Sequence, residues 1–179
     1  MASNKSLLGR LLKGSFGYLR RIAGSPAGTR PAAAPGRGAG AGVGHGTRPY
    51  PGDFRGRVSP RYSPRPDGKP DPGEIVWSWV PYEEDHSQGK DRPVLLIGHD
   101  GGWLLGLMLT SKDHDNGRHA DGYVDIGAGP WDPRGRASEV KIDRIIRLDP
   151  SSVRREGAVL DKRTFQLVAR GLGARHDPA

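Results

Sequence analysis

Residues 73–111 read GEIVWSWVPYEEDHSQGKDRPVLLIGHDGGWLLGLMLTS. Ile75, Trp77 and Trp79 alternate with Val76, Ser78 and Val80, and two apolar runs follow a polar loop, so the stretch predicts three strands. The loop puts His86, Ser87, Gln88, Lys90, Asp91 and Arg92 within seven positions. It ends on Pro93 at the mouth of the second strand, where a missing N–H costs the ladder least. This loop is the part of the stretch equipped for chemistry.

Downstream, a polar loop over 112–120 leads to a short strand at Tyr123–Ile126 and a second loop through Gly127, Gly129, Pro130 and Pro133. The longest strand signal is SEVKIDRIIRLD at 138–149. Val140, Ile142, Ile146 and Leu148 share one face there, Glu139, Lys141, Asp143 and Arg147 the other, and Arg144 and Ile145 break the pattern. Asp149-Pro150 ends it, and Ser151 or Ser152 can cap a turn. A last strand over 157–160 precedes a helix from its N-cap Asp161 through Phe165, Leu167, Val168 and Leu172 to the Gly171 and Gly173 region. Many short strands and one terminal helix predict a mainly β protein, a small twisted antiparallel barrel.

Upstream the composition changes. Residues 1–70 hold 13 Lys and Arg against Asp53 and Asp67, a balance of +11, whereas residues 71–179 hold 15 against 18, a balance of −3. Over 5–23, Leu7, Leu8, Leu11, Leu12, Tyr18, Leu19 and Ile22 recur at helical spacing among Arg10, Lys13, Arg20 and Arg21. That is a basic amphipathic pattern able to dock weakly on a membrane surface or a partner. From Gly24 to Pro70 the chain is Gly, Pro, Ala and Arg with almost no aliphatic residue, too little apolar surface to offset its entropy. The expected organisation is therefore a disordered basic tail over 1–70 and a folded domain over 71–179. The tail is either a solvated linker or an attractor of nucleic acid or anionic membrane. The chain has no cysteine and no apolar run near the roughly 20 residues of a membrane span, which fits a cytoplasmic setting.

A strand opening on Gly-Glu-Ile-Val-Trp (73–77), a polar loop closing on Arg92-Pro93, an apolar strand, and a strand ending in Thr110-Ser111 resemble the MazF/PemK toxins of toxin-antitoxin pairs. The resemblance spans roughly Gly73 to Leu172. It implies an SH3-like barrel with a C-terminal helix, usually a homodimer, held in check by a cognate antitoxin. It also implies a sequence-specific endoribonuclease that cuts single-stranded RNA with no metal or other cofactor. Arg92 sits at the family's Arg-Pro arginine, His86 where PemK-type members place a histidine, and Asp143 at the acidic residue of the later strand. Lys141 stands where those members carry arginine, which keeps a cation but loses the planar fork. Ser87-Gln88 and Lys90 depart from the family's usual Glu-Gln and glycine, with the glycine at Gly89.

Cleaving RNA without a metal needs a base for the 2′-hydroxyl, an acid for the leaving oxygen, and cations for the phosphorane. Lys141 and Asp143, two apart on a strand, are expected to leave the same face. Asp143 is then the base and Lys141 the acid or charge stabiliser, with Arg92 and His86 as phosphate ligands. Thr110, Ser111, Gln88 and Lys90 contact substrate. Taken alone, the Lys141–Asp143 pair reads as a surface ion pair worth about 0–1 kcal/mol, and Thr110-Ser111 as a strand end whose hydroxyls satisfy the backbone. Asp113, His114, Asp115 and His119 lack metal-site spacing and sit beside an Asn116-Gly117 turn. The tryptophans can stack bases, but core packing is the expected role for most. The other function class is a barrel that binds protein or nucleic acid without cutting it.

Overall fold

The structure is a computed structural model that describes residues 48–114 and 120–176. The amphipathic segment at 5–23, the tail as far as residue 47, and the Asp115-to-His119 part of the loop read above for metal ligands lie outside the described residues.

Among the described residues, seven strands form an antiparallel sheet that curls into a half-barrel, closed by one C-terminal helix. They are β1 (Glu74–Pro81), β2 (Gly89–Asp100), β3 (Trp103–Thr110), β4 (Tyr123–Ala128), β5 (Ala137–Lys141), β6 (Ile146–Leu148) and β7 (Arg154–Val159), followed by α1 (Lys162–His176). The order is β4-β5-β3-β2-β1-β7, with β6 also pairing β3. The central strands read as unbroken apolar runs because both of their faces are buried. Ile75, Leu95, Ile97, Leu105 and Leu107 face one core, shared with Phe165, Val168 and Leu172 of α1. Val76, Val94, Leu96 and Leu104 face a second, shared with Ile146 and Leu148. Asp161 caps α1 by accepting from the Thr164 N–H at 3.0 Å, as expected. The helix runs on through Gly171 and Gly173 to His176, because a Cβ at Gly171 would press on Val124 and Ile142 at 3.1 and 3.2 Å; the glycine is there for close packing.

Two expectations are corrected. The segment 138–149 is two strands, since β5 pairs with β3 and β4 at one end of β3 while β6 pairs with its other end. Arg144 and Ile145, the pattern break, are where the chain crosses. Ile145 is buried and bridges Phe54, whose N–H donates to its carbonyl at 2.8 Å. The second correction is that residues 48–70 are an arm laid on the barrel. Phe54, Val58 and Tyr62 pack against the larger core, and Tyr62 donates its hydroxyl to the Leu160 carbonyl at 2.9 Å. Arg61 and Ser63 donate backbone N–H groups to Ile97 and Pro72 at 3.1 and 2.9 Å. Gly73 accepts the arm: its φ of 102° suits glycine, and a Cβ would meet the Tyr62 ring at 2.8 Å. Composition concealed this because three anchors spaced four apart suffice once prolines have already reduced the chain's freedom. No helix among the described residues is long and apolar enough to cross a membrane.

Candidate nucleic-acid pocket

The β1–β2 pairing sets Ser78 opposite Arg92, Trp77 opposite Pro93 and Trp79 opposite Asp91, so the mouth of β2 lies beside Trp77 and Trp79. With the end of β3 and the β4–β5 loop it forms a pocket of about 470 Å³. Arg92, Lys112, Arg134 and Arg136, the hydroxyls of Thr110, Ser111 and Ser138, and the carboxylates Asp91 and Asp132 supply its polar walls, and Trp77 and Trp131 line its apolar ones. Trp131 is buried and donates its indole N–H to Ser138 at 3.1 Å, whereas Trp77 is only half-buried and Trp79 and Trp103 resemble it. Core packing therefore holds for Trp131 alone. Asp132 organises the loop by accepting from the Arg134 N–H and the Arg136 Nε, both at 2.8 Å. Those donors hold its carboxyl below the usual carboxylate range against the opposing effect of burial. Asp91 is engaged by Arg154 at 2.8 Å. Among the described residues, nothing pairs with the side-chain charge of Arg92 or Lys112. The pocket thus presents open cations, hydroxyls and an aromatic wall, a set suited to a phosphodiester and its bases.

The other expected residues lie apart from this pocket's lining. Lys141 Nζ is 3.4 Å from Asp143 Oδ1 and 3.3 Å from Glu83 Oε2, so the pair forms, with a loop carboxylate added. Strand alternation is not what joins them: Lys141 ends β5 and Asp143 follows in the turn, where Ile142 N donates to Gly122 O at 2.9 Å. On β5, Ser138 of the pocket and Val140 share one face and Glu139 and Lys141 the other. Burial opposes the charge of Lys141, yet Asp143 and Glu83 outweigh it and raise its pKa. His86 stands edge-on to Tyr50 with ring centroids 4.9 Å apart. Gln88 is turned to Asp85 at 2.7 Å, and Lys90 lies 6.0 Å over the Tyr82 ring.

Sequence reasoning missed Lys112, Arg134 and Arg136, although the Pro-Arg-Gly-Arg run at 133–136 carried the signal, two cations in a tight turn. It also missed a buried network under the β1–β2 loop. Arg144, 6% exposed, donates through Nε and NH2 to Asp53 at 2.8 and 3.0 Å and through NH1 to the Pro81 carbonyl at 2.8 Å. Tyr50 donates to Asp53 as well, and burial beside that carboxylate pushes the phenol well above its ordinary value. Burial alone would raise the carboxyl of Asp53, but the hydrogen bonds from Arg144 and Tyr50 prevail and lower it. His114 stacks on Tyr123 at 3.9 Å and meets Glu139 at 2.7 Å, a strand-end contact on the Lys141 face.

The sequence model for PemK-like, MazF-like toxins of type II toxin-antitoxin systems matches residues 71–174. Among solved structures, the chain is similar to an endoribonuclease in complex with its cognate antitoxin from a mycobacterial species. The identity is 16% over 62% of this chain and 97% of that one, with a TM-score of 0.46. It is also similar to MazF of Deinococcus radiodurans in a MazE–MazF crystal, at 22% identity over 63% and 100% of the two chains with a TM-score of 0.45. Against MazF crystallised from the same organism the values are 23% identity, 60% and 96% coverage and a TM-score of 0.45. No curated protein matches.

Proposed function

The chain belongs to the PemK-like, MazF-like toxins of type II toxin-antitoxin systems, and from that premise we propose that it is an endoribonuclease cutting single-stranded RNA at short sequences. The observation that carries this reading is the meeting of Arg92, Thr110 and Ser111 on one pocket wall, with Lys112 beside them and no internal partner for either cation among the described residues. In the proposed reaction the ribose 2′-hydroxyl attacks the neighbouring phosphorus and the 5′-oxygen departs, leaving a 2′,3′-cyclic phosphate and a 5′-hydroxyl, with no metal. Arg92 clamps the phosphate and gains most as charge builds on its oxygens, and the hydroxyls of Thr110 and Ser111 orient it. Asp143, which lies outside the lining of the Arg92 pocket, is kept as the proposed base on the family resemblance alone. Lys141, whose proton is held more tightly than usual, suits charge stabilisation better than acid catalysis. His86, Gln88 and Lys90 line the loop that the substrate would follow. The same reading gives the protein a cognate antitoxin, a second copy of itself and a cytoplasmic location.

The test is incubation of the full chain with single-stranded RNA in EDTA. Cleavage with cyclic phosphate ends is expected, and cleavage only on addition of metal would overturn the mechanism. RNA that is bound and left whole would instead favour the non-cutting barrel.

A further inference from the structure

The arm that the family match leaves out has a second pattern along it. From Arg57 to Arg65 the residues alternate strictly between exposed and half-buried. The exposed positions are Arg57, Ser59, Arg61, Ser63 and Arg65, and the half-buried ones are Val58, Pro60, Tyr62 and Pro64. Period-two alternation belongs to an extended chain, in which like-facing side chains recur about every 6.6 Å. The exposed five all line one groove of about 610 Å³ whose other wall is the far end of β2, Gly98 to Asp100. Of the two carboxylates on that groove, Asp100 is held by Arg147 at 2.8 Å and Asp71 has its Oδ2 buried.

We infer that the alternating Arg and Ser side of residues 57–65 is a binding strip for the phosphate backbone of single-stranded RNA, separate from the pocket around Arg92. Three guanidiniums with hydroxyl donors between them match a ligand whose charges recur evenly along a line, which a phosphodiester chain has and a folded protein surface lacks. The strip is prearranged. Val58 and Tyr62 anchor it in the core, the Arg61 and Ser63 N–H groups are bonded to the barrel, and the prolines keep it extended. A protein ligand is disfavoured because the apolar residues of the arm point inward, leaving the outer side without an anchor for a hot spot. Arg92 and His99 are seven residues apart on β2, about 20 Å, so one RNA must extend well past the cut to reach both.

The choice of RNA as ligand rests on the proposed function, but the test separates the two. Binding is measured with fluorescent 2′-O-methyl RNA, which 2′-hydroxyl attack cannot cut, using the full chain and its R57Q/R61Q/R65Q variant across a salt series. The strip predicts weaker binding of a long oligonucleotide by the variant and a log–log salt slope shallower by about 2, as expected for three lost phosphate contacts on a single strand. R57K/R61K/R65K should restore most of the slope. A four-nucleotide RNA should bind both proteins alike, which damage to the fold would not produce. Equal slopes for the full chain and the Gln variant, at unchanged melting temperature, would overturn the strip whether or not the enzyme cuts RNA. Retained RNA binding with loss of binding to an acidic peptide would overturn it in favour of a protein partner.

Discussion

The walls of the Arg92 pocket and the ground beneath the β1–β2 loop hold similar residues in opposite states. Around Arg92 the cations face a cavity, and those of Arg92 and Lys112 meet no carboxylate among the described residues. Beneath the loop each charge is answered: Arg144 by Asp53 and a carbonyl, Lys141 by Glu83 and Asp143. A buried cation with partners fixes structure, since removing either member leaves the other uncompensated. A cation on an open wall contributes little to folding and is available to an anionic ligand. The difference therefore sets open cations apart from paired ones, and of these cations only Arg92 and Lys141 were site candidates in the sequence.

That division is broken or sharpened by substitution. Arg92→Ala should lower the RNA cleavage rate by about 10²- to 10³-fold, the scale of losing one preorganised transition-state donor, and leave the melting temperature unchanged. A stability loss comparable to that of Asp53→Ala would erase the contrast. Asp143→Asn should cost about 10²-fold in rate, the lower range for a general base, and leave the binding of uncleavable 2′-O-methyl RNA unchanged. If that binding weakens in step with the rate, Asp143 holds Lys141 and Glu83 in place and is not the base. Asp53→Ala should destabilise the fold by about 3–5 kcal/mol in denaturant unfolding, because Arg144 stays buried without its partner. Asp53→Glu should recover much of that.

The smallest effect is in pH. Asp53 has a lowered pKa when folded, so its contribution is present above about pH 4, the unfolded carboxylate value, and is lost as pH falls through the folded value. The stability gap between the protein and Asp53→Asn should therefore be widest near neutrality and close in acid. A constant gap would show that Asp53 acts through shape and not charge.

What could be read beforehand follows from where the signals were local. The alternation from Ile75 to Val80, the apolar runs of β2 and β3, and the Asp161 cap lie within a few residues of each other and foretold their elements. Arg92, Thr110 and Ser111 could be paired only through the family resemblance, because seventeen or more residues separate the arginine from the hydroxyls until the β2–β3 hairpin folds them together. The arm was illegible for a different reason. Its composition is that of a disordered tail, and its order comes from partners such as Arg144, Ile145 and Leu160 far along the chain. Arg144 had marked itself by breaking the strand pattern, but a break does not say what it serves.

The arm's bonds also set an order of events. Asp53 pairs with a residue 91 positions later, and Tyr62 donates to one 98 positions later. On the ribosome the arm emerges long before Arg144 and Leu160 exist, and nothing nearby in sequence can stand in for them. The β1–β2 loop, which Arg144 steadies through Pro81, thus gains its support only after Arg144 has been made. A member of this toxin family made this way lacks that support for as long as the stretch carrying Arg144 has still to be translated.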